Sequence, residues 1–286
     1  MKCGICDFHK MHHWFRLDIF DLYRCPSCSA VRRFMGNNGG TDEALHVAET
    51  SIEGHWEEYQ RVYYLSRYST YCRVLNVIKE KGKKRLLDVG SAAGWFMDMA
   101  VTCGYDVYGI EPSKEIAFKG AQYSGRPVQV ALLENNTYSD GFFDVITMFD
   151  VLEHTQNPVK CLQQVRRLLA PQGLFVIRVP DINGLLPSIS RWLLIFTGGR
   201  YFKPAFLLWR HHNWGFNRQS LLTLLKKMRF EILYCYSEDA LELSTISLKW
   251  WANNKFIVLG VSFIIRLSHL LDLQDELVVI SSKLPD

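Results

Sequence analysis

The sequence lacks any apolar run long enough to cross a bilayer. Its two most apolar stretches, 182–216 and 247–272, are interrupted by Arg191, Arg200 and Arg266, whereas a membrane-spanning helix needs about 20 consecutive apolar residues. The opening segment MKCGICDFHK also lacks the apolar core of a signal peptide. We therefore expect a cytoplasmic protein. The two stretches are expected to pack on the fold or in a homodimer, or to touch a membrane surface peripherally.

Strong charge of either sign is missing as well. The 286 residues carry a net charge of +4 at pH 7, and the basic run at 79–85 is typical of a solvated helix end. This balance neither requires nor excludes a polyanionic partner. A content of 48% hydrophobic and 22% charged residues predicts a full core, with room for one large domain and a small appendage.

The dinucleotide fingerprint GxGxxG is absent, but a related turn is present. The segment LLDVGSAAG at 86–94 is an apolar strand that runs into a turn of small residues and then into a helix. Small side chains leave the backbone amides at the helix start open to a ligand. These residues are Gly90, Ser91, Ala92, Ala93 and Gly94. Asp88 closes the strand and can accept hydrogen bonds from an amino or hydroxyl group.

An acidic residue lies at the spacing that a ribose-binding site requires. Glu111 follows a second apolar strand, YDVYGI, about 20 residues beyond the turn, where a carboxylate suits a ribose diol and repels a ribose phosphate. A glycine-rich turn that only packs tightly is the structural alternative. The presence of Glu111 favours a ribose-bearing cofactor over that alternative.

Four of the eight cysteines form two CxxC pairs. Cys3 and Cys6 are separated from Cys25 and Cys28 by 18 residues, a pattern that predicts one tetrahedral zinc site built from two knuckle turns. Four thiolates leave no open position, so the zinc would be structural and would hold a lobe of roughly 35 residues that is too small for its own core. One alternative is that the cysteines form a redox pair or bind no metal. Another is that a nearby histidine (His9, His12 or His13) replaces a cysteine as a zinc ligand.

Strands and helices alternate beyond this lobe and predict an α/β fold with a doubly wound sheet. A leading helix at 55–82 precedes them. Asn157 before Pro158, and Asn217, are expected to cap helices. Strands are predicted at 85–90, 105–110, 127–132, 143–149, 173–179 and 276–284, with helices at 94–103, 113–123 and 158–170.

At these motifs the chain resembles the class I S-adenosylmethionine-dependent methyltransferases. Asp88, Gly90 and Gly94 match the DxGxGxG turn of that family, with Ala92 in place of the middle glycine. The acid Glu111, FFDVITMFDVLEH at 142–154 and APQGLFVIRVPD at 170–181 match three further motifs. The resemblance implies a seven-stranded Rossmann-like sheet whose last strand runs antiparallel beside strand five, next to a small N-terminal zinc-ribbon-like lobe.

The resemblance also implies S-adenosylmethionine as the cofactor and structural Zn²⁺ in the lobe. It places the cofactor contacts at Asp88, Gly90, Ser91, Ala92, Gly94, Glu111, Pro112, Leu133, Phe149 and Asp150. Tyr59, Tyr63 and Tyr64 of the leading helix are further expected contacts, although packing explains them equally well. The expected domains are the zinc lobe (1–34), a linker with the leading helix (35–84), and a methyltransferase domain (85–286) with insertions at 182–216 and 238–275.

Two histidines are the candidate catalytic bases. His154 ends the segment FDVLEH beside the expected methyl group and titrates near neutral pH, but it could equally brace the loop. His212, with His211 before it, lies in the first insertion, which is expected to close over the acceptor. Glu153 and Asp150 are expected to be loop or cofactor contacts.

The resemblance leaves three functions open. The lobe and core together resemble bacterial methyltransferases of sugar and polysaccharide biosynthesis, which implies O- or C-methylation of a sugar, a nucleotide-linked or lipid-linked saccharide, or another small metabolite. A ribosomal or transfer RNA methyltransferase that grips RNA with its zinc lobe is the second reading, although the lobe is only weakly basic. The third is a cofactor-binding protein without turnover.

Overall fold

The computed structural model describes residues 1–17, 20–35, 56–79, 84–196, 212–239 and 255–285. Three expectations lie outside the described residues: the linker, the middle of the first insertion with His211, and the first half of the second insertion. The side chains of Tyr59 and Tyr63 also lie outside them.

The described part of the chain contains eleven strands and seven α-helices. The strands are β1 (His12–Leu17), β2 (Phe20–Arg24), β3 (Val31–Met35), β4 (Arg85–Val89), β5 (Asp106–Ile110), β6 (Val128–Gln129), β7 (Phe143–Phe149), β8 (Leu169–Pro180), β9 (Trp214–Gly215), β10 (Phe230–Glu238) and β11 (Glu276–Lys283). The helices are α1 (Trp56–Lys79), α2 (Trp95–Thr102), α3 (Lys114–Ser124), α4 (Pro158–Leu168), α5 (Leu185–Phe196), α6 (Arg218–Lys227) and α7 (Lys255–Leu271). Two 3₁₀ turns, Leu133–Asn135 and Leu152–His154, follow β6 and β7.

Seven strands form the main sheet, in the order β10-β11-β8-β7-β4-β5-β6. The five strands from β6 to β8 are parallel, and β11 is antiparallel to both β8 and β10. Such a sheet has its ligand crevice at the carboxyl ends of the parallel strands. The α/β class and the seven-stranded Rossmann-like architecture are confirmed, as is the antiparallel last strand.

The central strands are apolar on both faces because helices cover both. On one face α1 and α2 pack in a cluster that includes Tyr71, Val74 and Phe96. On the other face α4 and α6 pack in a larger cluster. Burial on both sides is the normal situation of a parallel sheet and explains the near-continuous apolar runs in β4, β7 and β8.

Strands β1, β2, β3 and β9 form a second, antiparallel sheet at the N-terminal lobe. Its fourth strand comes from the first insertion, so the C-terminal end of 182–216 is part of the lobe sheet; the expected role of this insertion as a cover over the acceptor stays a prediction. The described part of the lobe has one small apolar cluster of its own, formed by Phe20, Leu22 and Val31, and its cysteine end packs in the core of the main domain. Cys3, Ile5 and Trp214 belong to the same apolar cluster as Leu221 and Leu224 of α6.

Both helix caps are confirmed. The side chain of Asn157 accepts a hydrogen bond from the Lys160 amide at 3.1 Å, and Asn217 forms a capping box with Ser220. A cap satisfies an amide that the first helical turn leaves without a partner, which is why the short polar side chain was a reliable signal in both cases.

Two strand boundaries differ from the prediction. β6 has two residues instead of the predicted 127–132, because only Gly109 and Ile110 of β5 pair with it at the edge of the sheet. β8 begins at Leu169 and the preceding helix ends at Leu168. Pro171 explains this early end, since a proline disfavours helical backbone in the residue before it.

Within the described residues, none of the helices is both long enough and apolar enough to span a bilayer.

Candidate functional site

The turn after β4 lies at the ligand edge of the sheet and depends on residues without bulky side chains. Gly90 and Gly94 have φ values of +71° and +80°, which only glycine adopts without strain. A Cβ atom at Gly90 would lie 2.4 Å from Cγ2 of Val151, and one at Gly94 would lie 2.6 Å from the Gly120 carbonyl oxygen. Backbone conformation and close packing therefore both require glycine at these positions.

Ala92, which stands where the family motif has its middle glycine, is held in the left-handed region with φ +46°. An L-residue in that region costs about 1–2 kcal/mol. The turn therefore has the shape of the glycine motif even though the residue differs. The amide of Ala92 donates to Oε2 of Glu111 at 3.2 Å, and this bond helps to hold the strained residue.

Glu111 connects the ends of β4 and β5. Its second oxygen, Oε1, accepts from the Ser113 amide at 3.0 Å, and the residue is largely buried. Backbone amides thus fix the carboxylate at the position that the ribose-binding motif predicts. Three other expected cofactor contacts lie nearby. Pro112 follows Glu111, and Leu133 begins the first 3₁₀ turn. Ser91 is buried in the turn after β4, and its Oγ has no hydrogen-bond partner among the described residues.

Asp88 is buried beneath the turn. Its Oδ1 accepts a hydrogen bond from Oγ1 of Thr147, on the neighbouring strand β7, at 2.7 Å. Burial raises the pKa of Asp88 to about 7, and the nearby charge of Glu111 acts in the same direction. The Asp88 side chain therefore links the end of β4 to β7 through Thr147, a partner that sequence spacing did not identify.

Asp150 follows Phe149 at the end of β7 and lies in an ion-pair network. Nη1 of Arg178 donates to both carboxylate oxygens at 2.7 Å, and Arg67 of α1 reaches Oδ2 with Nε at 2.8 Å. Arg178 is completely buried and also donates from Nε to Glu238 at 2.9 Å, while its Nη2 is 3.6 Å from Glu276. The network joins the ends of β7, β8, β10 and β11 to α1.

Glu153, His154 and His212 bring their side chains together beside this network. Their potential metal-ligating atoms all lie within 4.8 Å of one another, and the two imidazole rings meet edge to face with centroids 4.8 Å apart. Nε2 of His154 is 4.0 Å from Oε1 of Glu153. Both carboxylate oxygens of Glu153 are buried and have no hydrogen-bond partner among the described residues, and burial raises the pKa of Glu153 well above the usual range. The arrangement pairs a buried acid with two imidazoles.

The four CxxC cysteines converge in the lobe. The Sγ atoms of Cys3 and Cys28 are 3.7 Å apart, and those of Cys6 and Cys25 are 3.5 Å apart. Thiolates at about 2.3 Å from a tetrahedral zinc ion lie about 3.8 Å from each other, so the donor set fits such an ion. The hydrogen bond from Cys28 lowers the pKa of Cys3 to about 5, and sharing that proton raises the pKa of Cys28.

The structure thus brings the expected cofactor residues to the ends of β4, β5 and β7, and His154 together with His212. Of the three tyrosines expected to contact the cofactor, Tyr64 is the one whose side chain is described. The centroid of its ring lies 5.4 Å from that of Trp95. The sequence did not indicate several other side chains that the structure brings to this edge of the sheet: Arg67, Thr147, Arg178, Asn213, Glu238 and Glu276. A signal existed for Arg178, because an arginine inside the apolar run FVIRVP requires buried acidic partners.

A family model described as a methyltransferase domain matches residues 59–234. The curated relatives include a ubiquinone biosynthesis O-methyltransferase from Actinobacillus pleuropneumoniae serotype 7 (strain AP76). The two proteins are 27% identical over 194 residues, which is 63% of this chain and 80% of the relative.

Solved structures show the same fold. A SAM-dependent methyltransferase from Archaeoglobus fulgidus superposes with a TM-score of 0.56 at 16% identity, covering 80% of this chain and all of the other. The [4+2]-cyclase SpnF superposes with a TM-score of 0.52 at 17% identity, covering 75% and 82% of the two chains. Because a cyclase shares this fold, the fold alone does not identify the reaction.

Proposed function

The chain belongs to the methyltransferase domain family, and on that premise we propose that it transfers the methyl group of S-adenosylmethionine to a hydroxyl or carbon atom of a small molecule or saccharide. The observation that carries the proposal is the turn of Gly90, Ala92 and Gly94, held in left-handed backbone and bonded to Glu111. In this reading Glu111 binds the ribose diol, and the small residues let the nucleoside lie against the backbone.

The residues of this turn fit the cofactor. Bound S-adenosylmethionine supplies an activated methyl group on a sulfonium, so the protein has to align an acceptor and take up its proton. His154 and His212 are the groups that would accept a proton from an acceptor hydroxyl. Glu153 beside them is a buried carboxyl group, and its raised pKa favours the neutral form.

Two observations bear on the acceptor. The relative with 27% identity is named for O-methylation in ubiquinone biosynthesis, and a paired-CxxC lobe resembles enzymes of sugar and polysaccharide biosynthesis. Both classes present hydroxyl groups to the methyl donor. We therefore propose a hydroxylated small molecule or saccharide as the acceptor class.

An RNA acceptor is the less favoured candidate because the lobe is only weakly basic and two of its cations, Lys2 and Arg16, are already paired with acids. Lys2 and Lys227 both contact Asp7, at 3.1 Å and 2.5 Å, and Arg16 pairs with Asp21 at 3.1 Å. An acid beside a cation offsets part of the positive potential that would attract a phosphate. A gel shift with structured RNA that weakens steeply with salt would favour RNA, and no shift is expected.

The four-cysteine cluster is proposed to hold one structural Zn²⁺, with Cys3, Cys6, Cys25 and Cys28 as ligands.

The peripheral membrane contact that the apolar insertions suggest is a separate proposal. Trp192 and Phe196 of α5 are exposed, with their rings stacked 5.8 Å apart, and such residues insert at the boundary of headgroups and acyl chains. Sedimentation with anionic liposomes tests it, and failure to sediment contradicts it.

Calorimetry with S-adenosylhomocysteine tests the cofactor site. Glu111→Gln is expected to weaken binding by about 1–3 kcal/mol, the range for hydrogen bonds to charged groups. Glu115→Gln is the matched control, since this exposed glutamate of α3 pairs only with Lys119 at 2.6 Å in the described structure. Equal affinity in the wild type and Glu111→Gln would contradict the assignment of the pocket. An acceptor screen with tritiated S-adenosylmethionine follows.

A further inference from the structure

The segment His212–Asn213–Trp214 connects the cysteine cluster to the 3₁₀ turn that carries His154. It also contains the second candidate base, His212. Its three side chains point to three places: His212 to the His154 ring, Asn213 to the backbone of the Leu152–His154 turn, and Trp214 to the cysteines. The segment is part of the lobe, since Trp214 pairs with Arg32 of β3.

Asn213 holds the 3₁₀ turn at two points. Its backbone amide donates to the carbonyl oxygen of Glu153 at 2.8 Å, and its side-chain Nδ2 donates to the carbonyl oxygen of His154 at 2.7 Å. Both carbonyls therefore have their acceptor sites directed at one residue. Bonds to consecutive carbonyls fix the orientation of the peptide planes, and with them the direction in which the side chains of Glu153 and His154 leave the turn.

Arg33 of β3 in turn holds Asn213. Its Nη2 donates to Oδ1 of Asn213 at 2.9 Å, and its backbone amide donates to the Asn213 carbonyl oxygen at 3.0 Å. The amide side chain of Asn213 is thus engaged at both ends, by the lobe through Oδ1 and by the turn through Nδ2.

Trp214 connects the same segment to the cysteines. It is buried in one apolar cluster with Cys3, Cys25 and Cys28, and a Cβ atom at Gly4, between the first two cysteines, would lie 3.0 Å from its Cη2 atom. The knuckle turn and the indole are therefore packed without spare room. A change in the shape of the knuckle at Gly4 would therefore press on the indole of Trp214, which begins β9.

We propose that Asn213 is a positioning residue, through which the state of the four-cysteine cluster sets the geometry of the His154–His212 pair. This inference rests on the proposed function only for the consequence that methyl transfer depends on the pair. The coupling itself is a property of the fold and can be measured without turnover.

The experiment follows the imidazole signals by NMR of the full chain labelled with [¹³Cε1]-histidine. His154→Gln and His212→Gln assign the two signals. Asn213→Ala is expected to shift both signals, because it removes the bonds to His154 and Arg33. Asn136→Ala is the matched control: Nδ2 of Asn136 donates to the Leu133 carbonyl at 2.7 Å and its Oδ1 accepts from Arg167, so it loses a similar set of bonds in the other 3₁₀ turn. The control is expected to leave the two signals in place.

Asn213→Asp guards against a variant that fails to fold. It keeps an oxygen for Arg33 and loses only the Nδ2 donor, so a folded protein with a displaced His154 signal is expected. Removal of zinc from the wild type by a chelator should displace the His154 and His212 signals in the same direction. Unmoved signals in Asn213→Asp, or after loss of zinc, would overturn the proposal.

Turnover and cofactor binding separate this inference from the proposed function. Once an acceptor is found, Asn213→Asp should lower kcat by roughly a hundredfold, the cost of a catalytic group misplaced by about 1 Å. The affinity for S-adenosylhomocysteine should stay within about twofold of the wild type. If the wild type does not bind S-adenosylhomocysteine, the proposed function is contradicted. The NMR test of the coupling does not depend on that result.

Discussion

At the scale of single residues, the turn after β4 shows that a position can keep the backbone conformation of glycine without being a glycine. Gly90 and Gly94 are glycines for two reasons, positive φ and the absence of space for a Cβ. Ala92 satisfies the space requirement but not the conformational one, with φ +46°. The sequence therefore departs from the glycine motif at Ala92, where the backbone has the conformation of a glycine although the residue is not one.

Ala92→Gly is expected to stabilise the protein by roughly 0.5–1 kcal/mol, since relief of about 1–2 kcal/mol of left-handed strain exceeds the entropy that an added glycine gives the unfolded chain. Urea unfolding measures the change. Ala121→Gly in helix α3 is the control with the opposite sign, and it should destabilise by about 1 kcal/mol. Destabilisation by both substitutions would contradict the strain at Ala92.

Asp88 predicts a pH dependence of stability. Its pKa of about 7 in the folded state exceeds the unfolded value near 3.9, so the folded state binds more protons between these values. The stability due to Asp88 is complete below about pH 4 and is lost as the pH rises through 7, by on the order of 3–4 kcal/mol.

The variant Asp88→Asn removes this titration and keeps an oxygen for Thr147. Its free energy of unfolding should therefore fall less than that of the wild type between pH 4 and pH 7. Urea titrations at both pH values compare the two proteins. Parallel pH profiles would show that Asp88 ionises normally in the folded state.

At the scale of elements, the ends of the strands are joined by charges as well as by backbone bonds. Arg178 in β8 contacts Asp150 after β7, Glu238 in β10 and Glu276 in β11. These three acids face two arginines, Arg178 and Arg67, and burial raises the pKa of Glu276 to about 8. Helix α1 completes the network, since Thr70 donates to Glu238 at 2.5 Å.

Arg178→Met is expected to destabilise the protein by about 3–5 kcal/mol, because it leaves buried carboxylates without their cation. Arg85→Met is the control: the Arg85–Asp144 pair is 3.7 Å apart and partly exposed, and such pairs contribute about 1 kcal/mol or less. Thermal or urea unfolding ranks the two variants. Equal losses would mean that the buried network does not hold the strand ends.

At the scale of the whole molecule, the small sheet and the large one are a single packed unit. Cys3 and Trp214 share an apolar cluster with Leu221 of α6, and Lys227 of the same helix donates to the Ile5 carbonyl at 3.2 Å. The lobe gains its stability from this shared core and from the cysteine cluster, because roughly 35 residues bury too little surface alone.

Removal of the proposed zinc should unfold the small sheet and spare the large one. Hydrogen exchange measured by mass spectrometry should show lost protection in β1, β2, β3 and β9 after chelation, with β4 and β7 unchanged, because metal binding and folding of such lobes are coupled. Cys28→Ser should behave like the chelated protein and Cys103→Ser, at an exposed isolated cysteine, like the wild type. Unchanged exchange in β9 would contradict the coupling.

The sequence by itself determined the parallel sheet, the helix caps and the location of the glycine turn after β4. Each of these depends on local patterns: apolar runs, a capping side chain before a helix, small residues and an acid at a fixed distance. The two CxxC pairs likewise predicted a cluster, because four thiols at that spacing suit one tetrahedral ion.

Only the tertiary structure decided which distant residues meet. Thr147 under Asp88, Arg67 and Glu238 around Arg178, and the strand that the first insertion gives to the lobe all depend on contacts between segments far apart in the chain. Sequence periodicity carries no information about such pairings, since it records which face is buried and not what covers it. The placement of His212 beside His154 has the same physical origin: β9 pairs with β3 of the lobe, and this pairing carries the histidine to the ligand edge of the sheet.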